Sequence, residues 1–225
     1  GHIYDDFSWG PLFRSETTDS NEILKNLDNN AEKYILDSLK IMKLKVKDLK
    51  GMNVLNIGTG REARYFANQG AAVDHIDLSE KCVNSLNKWA QNKNKKVKST
   101  CANINNYDLE NNKYDVIFLA GVYQHIDIPA YALVKFINSL KPNGLMYMGF
   151  YRSGEFKFFI VDAIREFMTI KMIDKVRDAN SILNSFCEKN SYSTSRVMDD
   201  FFVPRKHNFH PKDIIHDIEL LNAEV

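Results

Sequence analysis

The stretch Asn53-Val54-Leu55-Asn56-Ile57-Gly58-Thr59-Gly60-Arg61-Glu62-Ala63 decides the architecture. Its first five residues form a short buried strand, and the run ends in two glycines separated by one residue. Glycine is needed where the backbone turns tightly and a ligand approaches without a Cβ in its way. From Glu62 to Asn68 the pattern is helical, and Gly70 ends it. Strand, glycine turn and helix in immediate succession open a βαβ unit.

Downstream the alternation continues. Ala72 to Ile76 reads as a strand, Glu80 to Gln91 as a helix, Val97 to Ala102 as a third strand and Tyr114 to Leu119 as a fourth. The fourth contains the continuous apolar run Val116-Ile117-Phe118-Leu119, expected of a parallel sheet covered on both faces. Tyr131 to Leu140 is read as a helix, and Pro142-Asn143-Gly144 as a turn into a fifth strand, Leu145 to Phe150. This order predicts an α/β fold with a doubly wound, mostly parallel sheet.

Working outward, residues 3–18 are an aromatic segment with Tyr4, Phe7, Trp9 and Phe13 around Gly10-Pro11, and it either covers a site or packs on the next helix. That helix is expected from Asp19, with Glu22 completing a capping box, through Leu39. Lys40, Lys43, Lys45, Lys47 and Lys50 then alternate with Ile41, Leu44, Val46 and Leu49, which reads as a solvated edge. After the fifth strand the rhythm breaks. A helix at Phe156 to Met172, a second near Ile182 to Cys187 and the polar run Asn190 to Arg196 are read as a helical cap at the carboxyl ends of the strands. One domain is expected over 1–225: an N-terminal segment and helix at 3–50, a core at 51–150, a cap at 151–212 and a return helix at 213–225. Gly1-His2 reads as the scar of a cleaved tag, and Asn222-Ala223-Glu224-Val225 stops where a further strand is expected.

The 225 residues are 44% hydrophobic, enough for one large core, and 30 basic against 29 acidic residues leave a net charge of +1. No chain-wide positive field exists to hold a polyanion, which disfavours nucleic acid as a partner. Cys82, Cys101 and Cys187 are odd in number and lack metal or redox spacing, so reduced thiols in a cytoplasmic protein are expected. No secretory signal or span for a membrane is visible. Oligomeric state is not encoded in any of these patterns.

Around the glycine turn the spacings point to an adenosyl ligand. Asp77 ends the second strand about 20 residues after the turn, where a carboxylate accepts ribose hydroxyls. Asn103 follows the third strand, placed to read the edge of an adenine. Ala120-Gly121-Val122 ends the fourth strand with small residues that leave room for a ligand. A dinucleotide site usually needs a third glycine to seat pyrophosphate; Arg61, Glu62 and Ala63 occupy that stretch, and Glu62 would repel phosphate.

In order, Val54-Leu55-Asn56-Ile57-Gly58-Thr59-Gly60, His75-Ile76-Asp77-Leu78-Ser79, Tyr114-Asp115-Val116-Ile117-Phe118 and Leu140-Lys141-Pro142-Asn143-Gly144 resemble the motif set of the class I S-adenosylmethionine-dependent methyltransferases. The resemblance spans roughly residues 50–150. It implies a Rossmann-like fold and S-adenosyl-L-methionine as cofactor, with S-adenosyl-L-homocysteine as product. It also implies a cofactor site made of Asn56, Gly58, Thr59, Gly60, Glu62, Asp77, Leu78, Asn103, Ile104, Ala120, Gly121 and Val122. Asn56 stands where the family usually carries an acid, and Glu62 where it usually carries a glycine.

Methyl transfer is an in-line displacement, so alignment of the acceptor dominates and few catalytic groups are needed. His125 is the candidate general base, against a plain packing role. Tyr123, Gln124, Tyr151, Arg152, Tyr192, Arg205 and His207 are candidates to line the acceptor site, Arg152 either meeting an anionic group or forming a surface ion pair. No metal is expected, because His207, His210 and Asp200 match no standard ligand spacing. The expected acceptor is a small polar or sugar-like molecule methylated on oxygen. The alternatives are an RNA or protein methyltransferase that uses the lysine clusters for docking, and a non-catalytic S-adenosylmethionine-binding subunit.

Overall fold

The computed structural model describes residues 32–150, 156–170 and 207–224. The aromatic segment 3–18, the beginning of the first helix and, within the expected cap, residues 151–155 and 171–206 lie outside the described residues.

Helix α1 occupies 32–41 of the described chain. It is followed by strand β1 (Asn53–Ile57), helix α2 (Arg61–Asn68), β2 (Ala72–Asp77), α3 (Glu80–Asn92), β3 (Val97–Cys101), β4 (Tyr114–Ala120), α4 (Pro129–Ser139), β5 (Leu140–Gly149), α5 (Phe156–Ile170) and α6 (Pro211–Leu220). All strand pairs are parallel, and the strand order is β3-β2-β1-β4-β5. The order reverses between β1 and β4. In open parallel sheets that reversal opens a crevice at the carboxyl ends of the strands, where ligands bind.

Alternating side chains of the central strands serve two cores, which is why the sheet is doubly wound. Val54, Val73, Val116 and Phe118 face α1, α2 and α3, where Ile35, Leu39, Phe66 and Leu86 close the layer. Leu55, Ile57, Ile76, Ile117 and Leu119 face the other way, against Leu133 and Phe136 of α4 and Ile214 of α6. Residues 116–119 are fully buried, the environment expected of the apolar run in β4.

Two details correct the expectations from sequence. Leu140–Gly149 is one strand, and Pro142-Asn143 lies within it as a bulge: Tyr114 pairs with Leu140, but Val116 pairs with Leu145. Asn143 takes φ 62°, and a Cβ on Gly144 would sit 2.9 Å from the Lys141 carbonyl oxygen. The turn residues therefore lie inside the strand, where a turn leading into a strand from Leu145 was expected. Helix α4 starts at Pro129, earlier than Tyr131, because proline suits the first helical position, whose N–H needs no partner.

Between α1 and β1 the chain forms a short 3-10 turn at Val46–Leu49. Met42 and Leu49 are buried while the lysines of this stretch are exposed, as expected of a solvated edge. The amino half of the sheet is tied by charge. Lys141 meets Asp115 at 2.7 Å, the Asn53 N–H donates to Asp115 at 2.8 Å, and Lys113 and the Tyr114 hydroxyl both reach Asp74 at 2.9 Å. Burial works to raise the Asp115 carboxyl, but the bonds from Lys141 and Asn53 outweigh it and hold it below its ordinary value. Among the described residues no helix is long and apolar enough to cross a membrane.

Candidate active site

At the end of β1 the turn needs its glycines. Gly58 takes φ +126° and Gly60 φ +81°, a region closed to most side chains. A Cβ on Gly58 would lie 3.0 Å from Val122, and one on Gly60 would lie 3.0 Å from Leu86 and 3.3 Å from the His75 ring. The turn is fastened to β2 from both sides of Gly58. Its N–H donates to the Ile76 carbonyl at 3.2 Å, and its carbonyl oxygen bonds His75 Nε2. Glu62 begins α2 beside the turn, 6% exposed, with one carboxylate oxygen 2.6 Å from Arg61. An anion there is favoured by the positive end of the helix.

Asp77 ends β2 next to the turn, half-buried, and accepts the Ser79 N–H at 2.7 Å, a bond that fixes the carboxylate at the strand end. Leu78 is half-buried beside it, and Ser79 caps α3 by accepting the Cys82 N–H. After β3, Asn103 and Ile104 start a loop that is held from within. Asn103 accepts the Asn105 N–H at 2.9 Å and donates to Asp127 at 3.0 Å, while Ile104 is buried in the lower core. Asn105 exchanges two bonds with the backbone of Ile128. Lys135 of α4 donates to the carbonyls of Ile104, Asn105 and Tyr107, and burial lowers its ammonium against the opposing pull of Asp108. Thus the amide edge of Asn103 is committed to orienting this loop.

Across the strand reversal lies Asn56. It is 1% exposed, donates to the Phe118 carbonyl at 3.1 Å, and its Oδ1 has no hydrogen-bond partner among the described residues. Two residues that the sequence did not single out adjoin this side. Tyr34 of α1 donates to the Tyr147 hydroxyl at 3.0 Å, and both rings pack edge-on or stacked against Phe118. Burial, the Tyr147 bond and the nearby Glu62 charge raise Tyr34 far above an ordinary phenol. A Cβ at position 149 would stand 3.1 Å from the Tyr34 oxygen, a tight contact that the tyrosine would have to yield to. The signal for this pair was a tyrosine inside an apolar helix pattern, which composition alone reads as core.

Beyond β4, Ala120 and Gly121 lead through Val122 into a 3-10 turn at Tyr123–His125. Gly121 has φ +68°, and a Cβ on it would meet nothing nearer than the Gln124 amide nitrogen at 3.9 Å. Gln124 is fully buried, yet neither its amide nitrogen nor its amide oxygen has a partner among the described residues. Its carbonyl accepts the His207 N–H at 2.7 Å, and His207 Nε2 bonds the Ile126 carbonyl at 3.1 Å, so the 207–210 segment docks beneath this turn. His125 is half-buried in the same turn.

Tyr123, expected beside the acceptor, is instead 1% exposed and packed on Phe209 and Phe150, with ring centroids 4.9 and 6.3 Å away. Burial and the Asp217 charge push its hydroxyl up to about 12. Its part in the site is to pack the floor. His210 caps α6 through Nδ1, and no group of metal-ligating side chains occurs among the described residues. Tyr151, Arg152, Tyr192 and Arg205 lie outside the described residues, as does Asp200.

An exposed Gly121, a glycine turn that crowds out Cβ atoms, an end-of-strand carboxylate and buried polar atoms without a partner among the described residues suit a cofactor with ribose hydroxyls and an amino-acid end. The 3-2-1-4-5 parallel sheet that carries these features matches the Rossmann-like fold of class I methyltransferases. Comparison with known proteins agrees with that likeness: residues 55–148 match the methyltransferase domain model. The cofactor of such a domain is S-adenosylmethionine.

A curated relative, the ubiquinone biosynthesis O-methyltransferase of Rickettsia typhi, is 27% identical over 126 residues, 55% of this chain and 49% of its own length. The chain thus spans about half the length of that relative. Among solved structures, PKMT2 from Rickettsia typhi superposes with TM-score 0.62 at 18% identity, covering 77% of this chain and 39% of its own. A Bacillus halodurans C-125 protein described as a candidate methyltransferase gives TM-score 0.53 at 15% identity, covering 82% and 66%. At these identities the likeness is one of fold.

Proposed function

We propose that the chain transfers a methyl group from S-adenosylmethionine to an oxygen of a small polar or sugar-like acceptor. The observation that carries this reading is the meeting of the Gly58-Thr59-Gly60 turn with the Asp77 carboxylate at the strand reversal, beside the open face of Gly121. When bound, the cofactor supplies an electrophilic methyl on a sulfonium. Asp77 accepts ribose hydroxyls, the glycine turn and Thr59 give backbone contacts, and the unpartnered Asn56 Oδ1 accepts from the ammonium of the methionine end. Leu78, Ile104 and Val122 supply the apolar walls for the adenosine. Glu62 adds negative charge near the ammonium through its Arg61-oriented carboxylate.

For the acceptor, Gln124 is the anchor. A fully buried amide with four unmet hydrogen-bonding positions costs stability unless a polar ligand meets it. It offers both a donor and an acceptor, which matches a hydroxyl. His125, one residue on, is the proposed base that takes the hydroxyl proton as the oxygen attacks. The O-methyltransferase name of the Rickettsia typhi relative agrees with oxygen as the methylated atom.

Titration calorimetry with S-adenosylmethionine, S-adenosylhomocysteine and NAD tests the cofactor, and mass spectrometry of a panel of hydroxylated small molecules tests the acceptor. Micromolar binding of the first two, with one panel member gaining a methyl group, is the expected result. Binding of NAD alone would sink the reading. A second reading, a non-catalytic cofactor-binding subunit, draws on Asn56 in place of the family's acid; it requires tight S-adenosylhomocysteine binding with no methylation of any class of acceptor, RNA and protein included.

A further inference from the structure

His75 is the one fully buried histidine among the described residues, and the mechanism above does not use it. Its ring bridges two points: Nε2 bonds the Gly58 carbonyl oxygen, and Nδ1 lies 2.6 Å from the Ser99 hydroxyl. A carbonyl oxygen only accepts, so Nε2 carries the proton. Nδ1 then accepts from the Ser99 hydroxyl. Burial keeps the ring neutral by lowering its pKa to about 4, against the opposing effects of the Gly58 bond and the Glu62 charge. Ser99 is itself gripped by α3, since its N–H donates to Asn87 Oδ1 and its carbonyl accepts from Asn87 Nδ2, both at 3.1 Å. A polar chain thus runs from α3 through edge strand β3 and across β2 to the glycine turn.

That chain has a geometric effect on the turn. In a planar trans peptide the carbonyl of one residue and the N–H of the next point in opposite directions. With the Gly58 oxygen drawn toward His75, the Thr59 N–H points the opposite way, away from the His75 ring. At φ +126° Gly58 has the freedom to rotate this peptide, so something must fix it. We propose that His75 is a positioning residue: through its neutral, Nε2-protonated ring it holds the Gly58-Thr59 peptide with the Thr59 N–H presented to the cofactor. This rests on the cofactor reading given above. Neither composition nor the motif order assigns His75 any role, and the Asn87-Ser99-His75 chain makes the turn depend on helix α3 and edge strand β3.

Nitrogen-15 NMR of the full chain at pH 7, with S-adenosylhomocysteine calorimetry on variants, tests this. Nδ1 is expected as the unprotonated ring nitrogen, and the Thr59 amide is expected to shift on S-adenosylhomocysteine addition. His75→Phe fills the same space without a donor and should weaken S-adenosylhomocysteine binding about tenfold, the effect of one lost buried hydrogen bond to a ligand-presenting group. His75→Gln keeps a donor near the Nε2 position and should restore most of that loss; Ser99→Ala should fall between. An Nδ1-protonated ring, an unmoved Thr59 amide, or a folded His75→Phe protein that binds like wild type overturns the proposal. Should His75→Phe not fold, the wild-type tautomer and the Thr59 shift decide it alone. Failure of wild type to bind S-adenosylhomocysteine at all would instead strike the cofactor reading itself.

Discussion

The buried histidine gives a stability test that needs no ligand. In the unfolded chain His75 titrates near 6.5, whereas in the folded protein burial lowers it to about 4. Between those values the unfolded state binds a proton that the native state refuses. Stability from this group is therefore complete above pH 6.5 and is lost as pH falls toward 4. Each pH unit inside that window costs about 1.4 kcal/mol, and allowing for the incomplete titration at pH 7, the loss from pH 7 to pH 5 comes to about 2 kcal/mol. Urea unfolding at the two pH values measures it. His75→Gln carries no titrating ring there, so its unfolding free energy should fall less over the same interval, by about that amount. The other histidines contribute equally to both proteins and cancel in the difference. Equal pH slopes for the two proteins would refute the claim that His75 is held neutral.

Other outcomes follow from the same contacts. Asp77→Ala should remain folded by near-ultraviolet circular dichroism and lose at least about tenfold in S-adenosylhomocysteine affinity, the worth of a charge-assisted bond to ribose; unchanged calorimetry would remove Asp77 from that role. Gly60→Ala forces an alanine into φ +81° and 3.0 Å from Leu86, so denaturant titration should show a loss of about 2–3 kcal/mol. Gln124→Leu removes a buried amide with no partner among the described residues, and the ligand-free protein should gain about 1 kcal/mol in the same assay; a loss would mean the amide is bonded. Lys135→Met leaves the carbonyls of Ile104, Asn105 and Tyr107 without their common donor, and amide exchange over 103–107 should accelerate.

Much of the core was legible because local patterns and packing agree. The apolar run 116–119 is fully buried in β4, and the two glycines of the turn do hold positive φ. Element ends were read less well: proline begins α4 ahead of its apolar periodicity, and the bulge at Pro142-Asn143 preserves strand pairing on both sides of a turn signal. The site was legible only where backbone conformation dictates residue type. Asn103 looked like a ligand reader, but its amide is taken by a local turn bond from Asn105 and by Asp127, a partner that only tertiary structure brings near. Tyr123 looked exposed to the pocket because it follows a strand end, yet the docking of 207–210 puts Phe209 against its ring. His75 and Tyr34 were given no role in the site, because nothing in one dimension reveals that Ser99 or Tyr147 lies across from them.

The ion pairs at the amino half of the sheet carry a consequence for adaptation. Asp115 with Lys141 and Asn53, and Asp74 with Lys113 and Tyr114, bind strands β1, β2, β4 and β5 at the end remote from the crevice. Foundation and workplace are thereby kept apart. Residues at the crevice can be exchanged for a new acceptor without loosening the ties that align the strands, so retooling of specificity and retention of the fold draw on different side chains.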